Sequence, residues 1–177
     1  KRLSCLQVGH RRFGQILGSK KSRSFRAVWL DKAIAMKPIN AVIKETKKET
    51  RSIKTFRFDR YFDPIPGQYL MVWVRGVDEI PMSFSYRNGI TVQSVGDATE
   101  ALFSLGLGDS VGLRGPLGNG FTIVGDHILL IGGGVGAAPL AFLGEEAKER
   151  GSKVTALLGF RCCDDVIFRE RFEDVGD

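Results

Sequence analysis

The sequence predicts a closed antiparallel β-barrel followed by a parallel α/β unit, and three observations predict it. Residues 39–115 fall into six short alternating or apolar segments separated by turn residues. A glycine-rich stretch over 115–140, GPLGNGFTIVGDHILLIGGGVGAAPL, joins them to the C-terminal segments. Beyond it strand-like and helix-like segments alternate, as they do in a parallel sheet with crossover helices.

The 177-residue chain opens on a basic head. Residues 1–35 hold nine Lys/Arg and one acid, Asp31, whereas the rest holds 17 basic and 19 acidic side chains, so the formal charge of +6 resides in the head. The near-neutral body gives no electrostatic case for nucleic-acid binding. The head keeps no helical or strand period and admits three readings. These are an organellar targeting peptide, a nucleic-acid-binding arm, and an extension upstream of a natural start at Met36. The last is preferred, because charge and patterning both change at Met36. Cys5, Cys162 and Cys163 are too few for a disulfide framework and lack C-x-x-C spacing, which favours a reducing cytoplasmic setting. All apolar runs fall short of the ~20 residues of a membrane span, so no membrane association is expected.

Each barrel strand has a local reason. INAVIKET and IKTFRFD flank the polar turn KKETRS, with Ile53, Phe56 and Phe58 as the alternating apolar positions of the second strand. FDPIPGQ turns the chain with two prolines and a glycine. QYLMVWV is apolar on both faces and is expected at the centre of a sheet; residues 75–79 make a loop, and IPMSFSYR is the fourth strand. Asn88-Gly89 is a hairpin turn into ITVQSV. ATEALFSLGLGD sets Ala101, Leu102 and Leu105 at helical spacing before glycines end the helix, and DSVGLRG is the sixth strand. Closure follows because it removes the exposed edges of such a set.

After the joint, HILLI is a strand and APLAFLGEEAKERG an amphipathic helix, with Glu145, Glu146, Lys148, Glu149 and Arg150 as its solvated face. KVTALLGF is a buried strand, and Asp164 or Asp165 caps a last helix carrying Val166, Phe168 and Phe172. This β-α-β-α order is the first half of a parallel sheet, and the chain is expected to end inside a domain.

The chemistry concentrates in GGGVGAAP. Gly132, Gly133, Gly134 and Gly136 stand where a strand turns into a helix, so the backbone can approach a pyrophosphate and the helix N-terminus favours its charge. Pro139 replaces the third glycine of G-x-G-x-x-G and is tolerated because the first helical turn needs no N–H donor. An acid is expected about 20 residues on; the strand ends instead in Arg161, which suits either a 2′-phosphate or a salt bridge to Asp164 or Asp165. A packing turn without a ligand is the alternative for the whole motif. His10 and His127 are the only histidines, and no catalytic acid–base or nucleophile set is found.

With these motifs in place, the chain resembles the ferredoxin reductase-like flavoproteins, whose turn reads G-G-G-x-G-x-x-P, as Gly132 to Pro139 do. Pro81-Met82-Ser83, GDATEALFSLGLGD and GPLGNGF further resemble the electron-transfer subunits of dihydroorotate dehydrogenase, from about Ile39 to Val175. The resemblance implies a six-stranded antiparallel FAD-binding barrel over 36–124 and the first half of a Rossmann-like nicotinamide-binding domain over 125–177, with 1–35 as a basic extension. It implies FAD contacts at Pro81, Met82 and Ser83, the serine lying near flavin N5, and at Thr91, Val92, Gln93, Ala98, Thr99 and Gly120. Nicotinamide-nucleotide contacts are implied at Gly132, Gly133, Gly134, Gly136, Ala138 and Pro139. Two positions depart from the family. Ala98 replaces a glycine, and Ile80 stands where R-P-x-S has its arginine. Pairing the strands around a four-residue loop, 76–79, sets Arg75 opposite Ile80, so Arg75 is the expected substitute, with a solvated strand-end arginine as the alternative.

The function so implied is flavin-dependent electron transfer in pyrimidine biosynthesis. Electrons from a dihydroorotate-oxidising FMN subunit pass through a 2Fe–2S cluster and FAD to NAD. The implied partners are that catalytic subunit and a nicotinamide nucleotide, NAD or NADP. The family's cluster ligands are not found in this sequence, and Cys162 and Cys163 are not assigned to them. The alternatives are a reductase subunit of a hydrogenase, a ferredoxin–NADP oxidoreductase and, in another class, an inactive fragment or basic nucleic-acid-binding protein.

Overall fold

Six strands close a barrel in the order β1-β2-β5-β4-β3-β6. They are β1 (Ile39–Lys48), β2 (Ile53–Phe58), β3 (Tyr69–Val74), β4 (Asp78–Tyr86), β5 (Gly89–Gln93) and β6 (Ser110–Leu117). The computed structural model describes residues 37–176, so the readings of the head, Met36 included, lie outside the described residues. All neighbouring strands run antiparallel, and the seam is closed by pairing Ile39 with Leu113 and Ala41 with Val111.

The alternation in the sequence becomes an inside and an outside. Ala41, Ile43, Phe56, Phe58, Leu70, Val72, Phe84, Ile90, Val92, Val111 and Leu113 fill the barrel with at most 1% exposure, so apolar burial drives its closure. Helix α1 (Asp97–Ser104) inserts Leu102 into the same core. Its C-terminal carbonyls are capped by Lys54, whose Nζ donates to Phe103 O at 3.0 Å and Leu105 O at 2.6 Å. Burial pushes the Lys54 ammonium below its ordinary pKa, against the opposing pull of Asp109.

The second part is a two-stranded parallel sheet, β7 (His127–Gly133) and β8 (Lys153–Gly159), in register from His127 opposite Lys153 to Gly133 opposite Gly159. A 3₁₀ turn (Gly134–Gly136) leads into α2 (Ala137–Glu149), which packs Ala141, Leu143 and Ala147 on Leu130 and Val154. Helix α3 (Arg169–Val175) follows, and the barrel and these elements form one compact unit. The other face of the sheet shows Leu129, Ile131 and Leu157 to solvent, each at least 60% exposed.

Four expectations are corrected. Ile53 does not share the inward face of Phe56 and Phe58; one residue out of phase, it points outward and joins the core of the α/β elements. Strand β3 is not apolar-buried on both faces, because Leu70, Val72 and Val74 point in while Trp73 is 41% exposed. Neither Asp164 nor Asp165 caps the last helix: both lie in the 3₁₀ turn Cys163–Asp165, and α3 begins after Phe168. The acids of α2 are not a wholly solvated face, since Glu145 pairs with Arg171 and Glu146 with Arg87.

Candidate functional site

The glycine-rich turn opens onto the barrel wall. A cleft of about 520 Å³ is lined by Gly133, Gly134, Val135, Gly159, Phe160, Arg161 and Asp165 on one side and by Ser52, Ile53 and Gln93 on the other. It stands at the C-terminal ends of the parallel strands, where open α/β sheets bind ligands. Each glycine there has its own reason. Gly133 lies so near β8 that a β-carbon would stand 2.9 Å from Gly159 O, and Gly134 turns the chain at φ +53° with open space around it. Gly136 also faces open space, whereas a side chain at Gly132 would collide with Leu140. Ala138 is 2% exposed, so only its backbone at the helix start is available, and Pro139 sits in the first turn of α2, where no N–H is missed.

On the barrel, Pro81 and Ser83 lie on the outer face of β4 and are exposed, opposite Met71 and Tyr69 of β3. Met82 points the other way, against the barrel core, and Val92 is fully buried there, so neither presents its side chain to the outside. Thr91 is outward but buried, and its hydroxyl is engaged at 3.0 Å by Thr55 and at 2.9 Å by Ser85. Thr55 donates on to Glu49 at 2.9 Å, a carboxylate whose side chain is 4% exposed. The carboxylate accepts, so the protons run one way, from Ser85 through Thr91 and Thr55 to Glu49.

At the start of α1, the Thr99 hydroxyl folds back on the chain. It accepts from Val95 N and Gly96 N at 2.9 and 3.0 Å and donates to Gly96 O at 2.8 Å. This contact orders the turn without glycine at Ala98. Gly120 has a packing role, since its β-carbon would stand 2.5 Å from Ile65 Cβ. Phe121 N donates to Pro66 O at 2.7 Å, and Gln68 Nε2 to Gly118 O at 2.9 Å, so GPLGNGF is laced to FDPIPGQ.

Arg75 is not where the sequence pairing put it. The hairpin turn spans three residues, with Val74 opposite Asp78, so Val72 and not Arg75 faces Ile80. The turn is one residue shorter and begins one residue earlier, and together these moved the register. The Arg75 guanidinium bonds Ser110 Oγ at 2.7 Å and Asn40, stitching the β1–β6 seam, and Ile80 packs against the barrel core. A second arginine, Arg114, holds Glu79 at 2.9 and 3.1 Å, and this pairing raises its pKa. Sequence reasoning missed Gln68, Glu49 and the Arg171–Glu145 pair; Gln68 and Arg171 reach partners 50 and 26 residues away, and Glu49, bonded to Thr55 across the β1–β2 turn, read as part of a polar turn.

No family model matches the chain. Among curated proteins it is 60% identical over 144 residues, 80% of this chain and 56% of the relative, to the probable dihydroorotate dehydrogenase B (NAD(+)) electron transfer subunit of Methanocella arvoryzae. It is 42% identical over 139 residues, 78% of this chain and 54% of the relative, to the protein of that name from Methanocaldococcus jannaschii. The chain is a homologue of the dihydroorotate dehydrogenase B electron transfer subunits. It spans about half the length of the curated relatives it matches. Solved structures agree on the fold. The NADH-dependent reduced ferredoxin-NADP oxidoreductase, studied for flavin-based electron bifurcation, aligns with a TM-score of 0.69 and 26% identity over 77% of this chain and 54% of that one. The flavohem-like FAD/NAD-binding domain of nitric oxide dioxygenase from Vibrio cholerae aligns with a TM-score of 0.67 and 27% identity, over 77% of this chain and 68% of that one. The barrel-plus-parallel-sheet fold is ferredoxin reductase-like, as the resemblance implied.

Proposed function

We propose that this chain is the flavin- and nicotinamide-binding part of an electron-transfer subunit that works with a dihydroorotate-oxidising partner in the cytoplasm, and that delivers electrons to NAD. The observation that carries the reading is the cleft in which the Gly133–Val135 turn faces Gln93 of the barrel wall. Residues 36–124 would hold FAD and 125–177 would supply the first part of the nicotinamide site. The residues fit a dinucleotide at the turn, where Gly134 and Gly136 leave open space before a helix N-terminus. On the barrel the fit runs through Pro81 and Ser83 on the open face of β4, Gln93 at the cleft, and the start of α1 at Ala98 and Thr99.

A bound flavin supplies the acceptance and release of electrons or hydride. The chain's own residues position it and exclude water. Ser83 would offer a hydroxyl toward the reacting edge, and the backbone around Thr91–Gln93 and Ala98 would hold the rest. Arg75 is left out of this set because its guanidinium is spent on the barrel seam. Among the described residues no group of His, Cys, Asp and Glu could hold a metal ion, so the cluster step is not assigned to them. A ferredoxin-linked reductase is the second reading, favoured by the likeness to the ferredoxin-NADP oxidoreductase.

The test is purification of the chain with its natural partners. Flavin absorption bands at roughly 370 and 450 nm and a co-purifying dihydroorotate-oxidising subunit are expected. A colourless protein would overturn the flavin reading, and a ferredoxin in place of that subunit would select the second.

A further inference from the structure

Arg171 stands where three elements meet. Its Nε and one Nη donate to the two carboxylate oxygens of Glu145 on α2 at 2.7 and 2.8 Å, and that Nη also donates to Ser85 O on β4 at 3.0 Å. The guanidinium lies 4.0 Å from the centre of the Tyr86 ring and 4.6 Å from that of Phe168. Arg57 covers Tyr86 at 4.2 Å, and Phe168 meets that ring edge-on with centres 6.0 Å apart. Phe168 adopts φ 59°, a left-handed conformation that a bulky residue keeps only where its surroundings hold it. Beside this assembly, Arg87 pairs with Glu146.

An ordinary surface ion pair would not fix two parts of a protein. This one is bidentate and its arginine is stacked on aromatic rings, with the Arg171 side chain 14% and the Glu145 side chain 35% exposed, the arrangement in which arginine orients its partners most strongly. Its members come from both parts: Ser85, Tyr86 and Arg57 from the barrel, Glu145, Phe168 and Arg171 from the α/β elements. None of them lines the cleft. The link to the cleft runs through β4 and β5, since the Ser85 hydroxyl bonds Thr91, two residues before Gln93.

We propose that Arg171 is a positioning residue that fixes the angle between the barrel and the α/β elements, and with it the aperture of the cleft between Gln93 and Gly134. The inference rests on the reading of that cleft as the place where flavin and nicotinamide meet. Swinging the α/β elements away from the barrel would widen the cleft, and the Arg171 contacts oppose that swing.

The test compares Arg171→Ala, Arg171→Lys and Glu145→Gln with the parent in the full chain purified with its flavin. Three readouts are used: small-angle scattering, hydrogen exchange over 84–93 and 134–146, and flavin reduction at limiting and saturating NADH. Flavin content is expected to stay at the parent level, while the radius of gyration and exchange in both segments rise. The reduction rate at saturating NADH should fall by about tenfold or more, as expected for misplaced reactants, with a smaller change in Kd. Arg171→Lys, which keeps charge but loses the fork and the stack, should fall between. If Arg171→Ala does not fold, the other two variants carry the comparison. Folded variants with parental scattering, exchange and saturated rate would overturn the proposal. A parent that NADH does not reduce would instead count against the functional reading, and scattering and exchange would still decide the role of Arg171.

Discussion

Thr55 and Thr91 share a buried hydrogen bond of 3.0 Å between the outer faces of β2 and β5. It is the middle link of a one-way chain of hydroxyls from Ser85 to the buried Glu49 carboxylate. Thr91→Val keeps the shape and leaves both neighbouring hydroxyls without this partner. Unfolding in denaturant should show a loss of about 1–3 kcal/mol. The double variant with Thr55→Val should cost less than the sum of the single variants, because each single variant already loses the shared Thr55–Thr91 bond and the sum counts it twice.

The Lys54 ammonium closes one end of the barrel by holding Phe103 O and Leu105 O. Lys54→Met keeps the stem and removes the donor. The cost should be about 1 kcal/mol, modest because burial already opposes the charge. Hydrogen exchange should rise first in the last turn of α1, and uniform exchange across the barrel would speak against this local role.

Gly132 and Gly133 are adjacent and should respond differently to alanine. A β-carbon at Gly133 meets the carbonyl of Gly159, which is backbone in a paired strand and cannot step aside. At Gly132 it meets the end of the Leu140 side chain, which can change rotamer. Gly133→Ala should cost about 1–3 kcal/mol and weaken nucleotide binding, with Gly132→Ala milder on both counts. Thermal unfolding and titration with a nicotinamide nucleotide check the order.

Burial raises the Tyr86 phenol above its ordinary pKa of 10.0, with the nearby Arg171 pulling the other way. The unfolded chain therefore ionises first on the alkaline side. The contribution of Tyr86 to stability is complete below the unfolded pKa and is lost as pH rises through the folded value. Tyr86→Phe should flatten the fall in unfolding midpoint as pH rises above ~10. An unchanged slope would show that other groups control it.

The barrel was legible because its physics is local. Phe56 and Phe58, and Ile90 and Val92, alternate as a one-sided strand must, and the Asn-Gly signal falls within one residue of the observed Arg87–Asn88 turn. The glycine turn was legible for a similar reason: a backbone requirement at one place leaves several glycines in a row. Arg75 was misplaced because the alternation of Trp73 and Val74 does not say whether the next turn has three or four residues. Glu145 and Glu146 looked solvated because a helix pattern shows which side is polar but not which arginines, 26 and 59 residues away, will come to meet it. Thr91 was implied by the family resemblance, and only the fold reveals that Thr55 and Ser85 already use its hydroxyl.

The seam between β1 and β6 also sets an order of events as the chain folds. Ile39 finds its partner only when Leu113 is available, so the first strand made must wait for the last. Four strands and a helix lie between them in sequence, and closing so long a loop is the slow kind of step in forming a β-protein. Arg75, bonded to Asn40 on one side of the seam and Ser110 on the other, becomes engaged only once the barrel has shut. It works as a latch on a late event, and replacing it should speed opening far more than it slows closing.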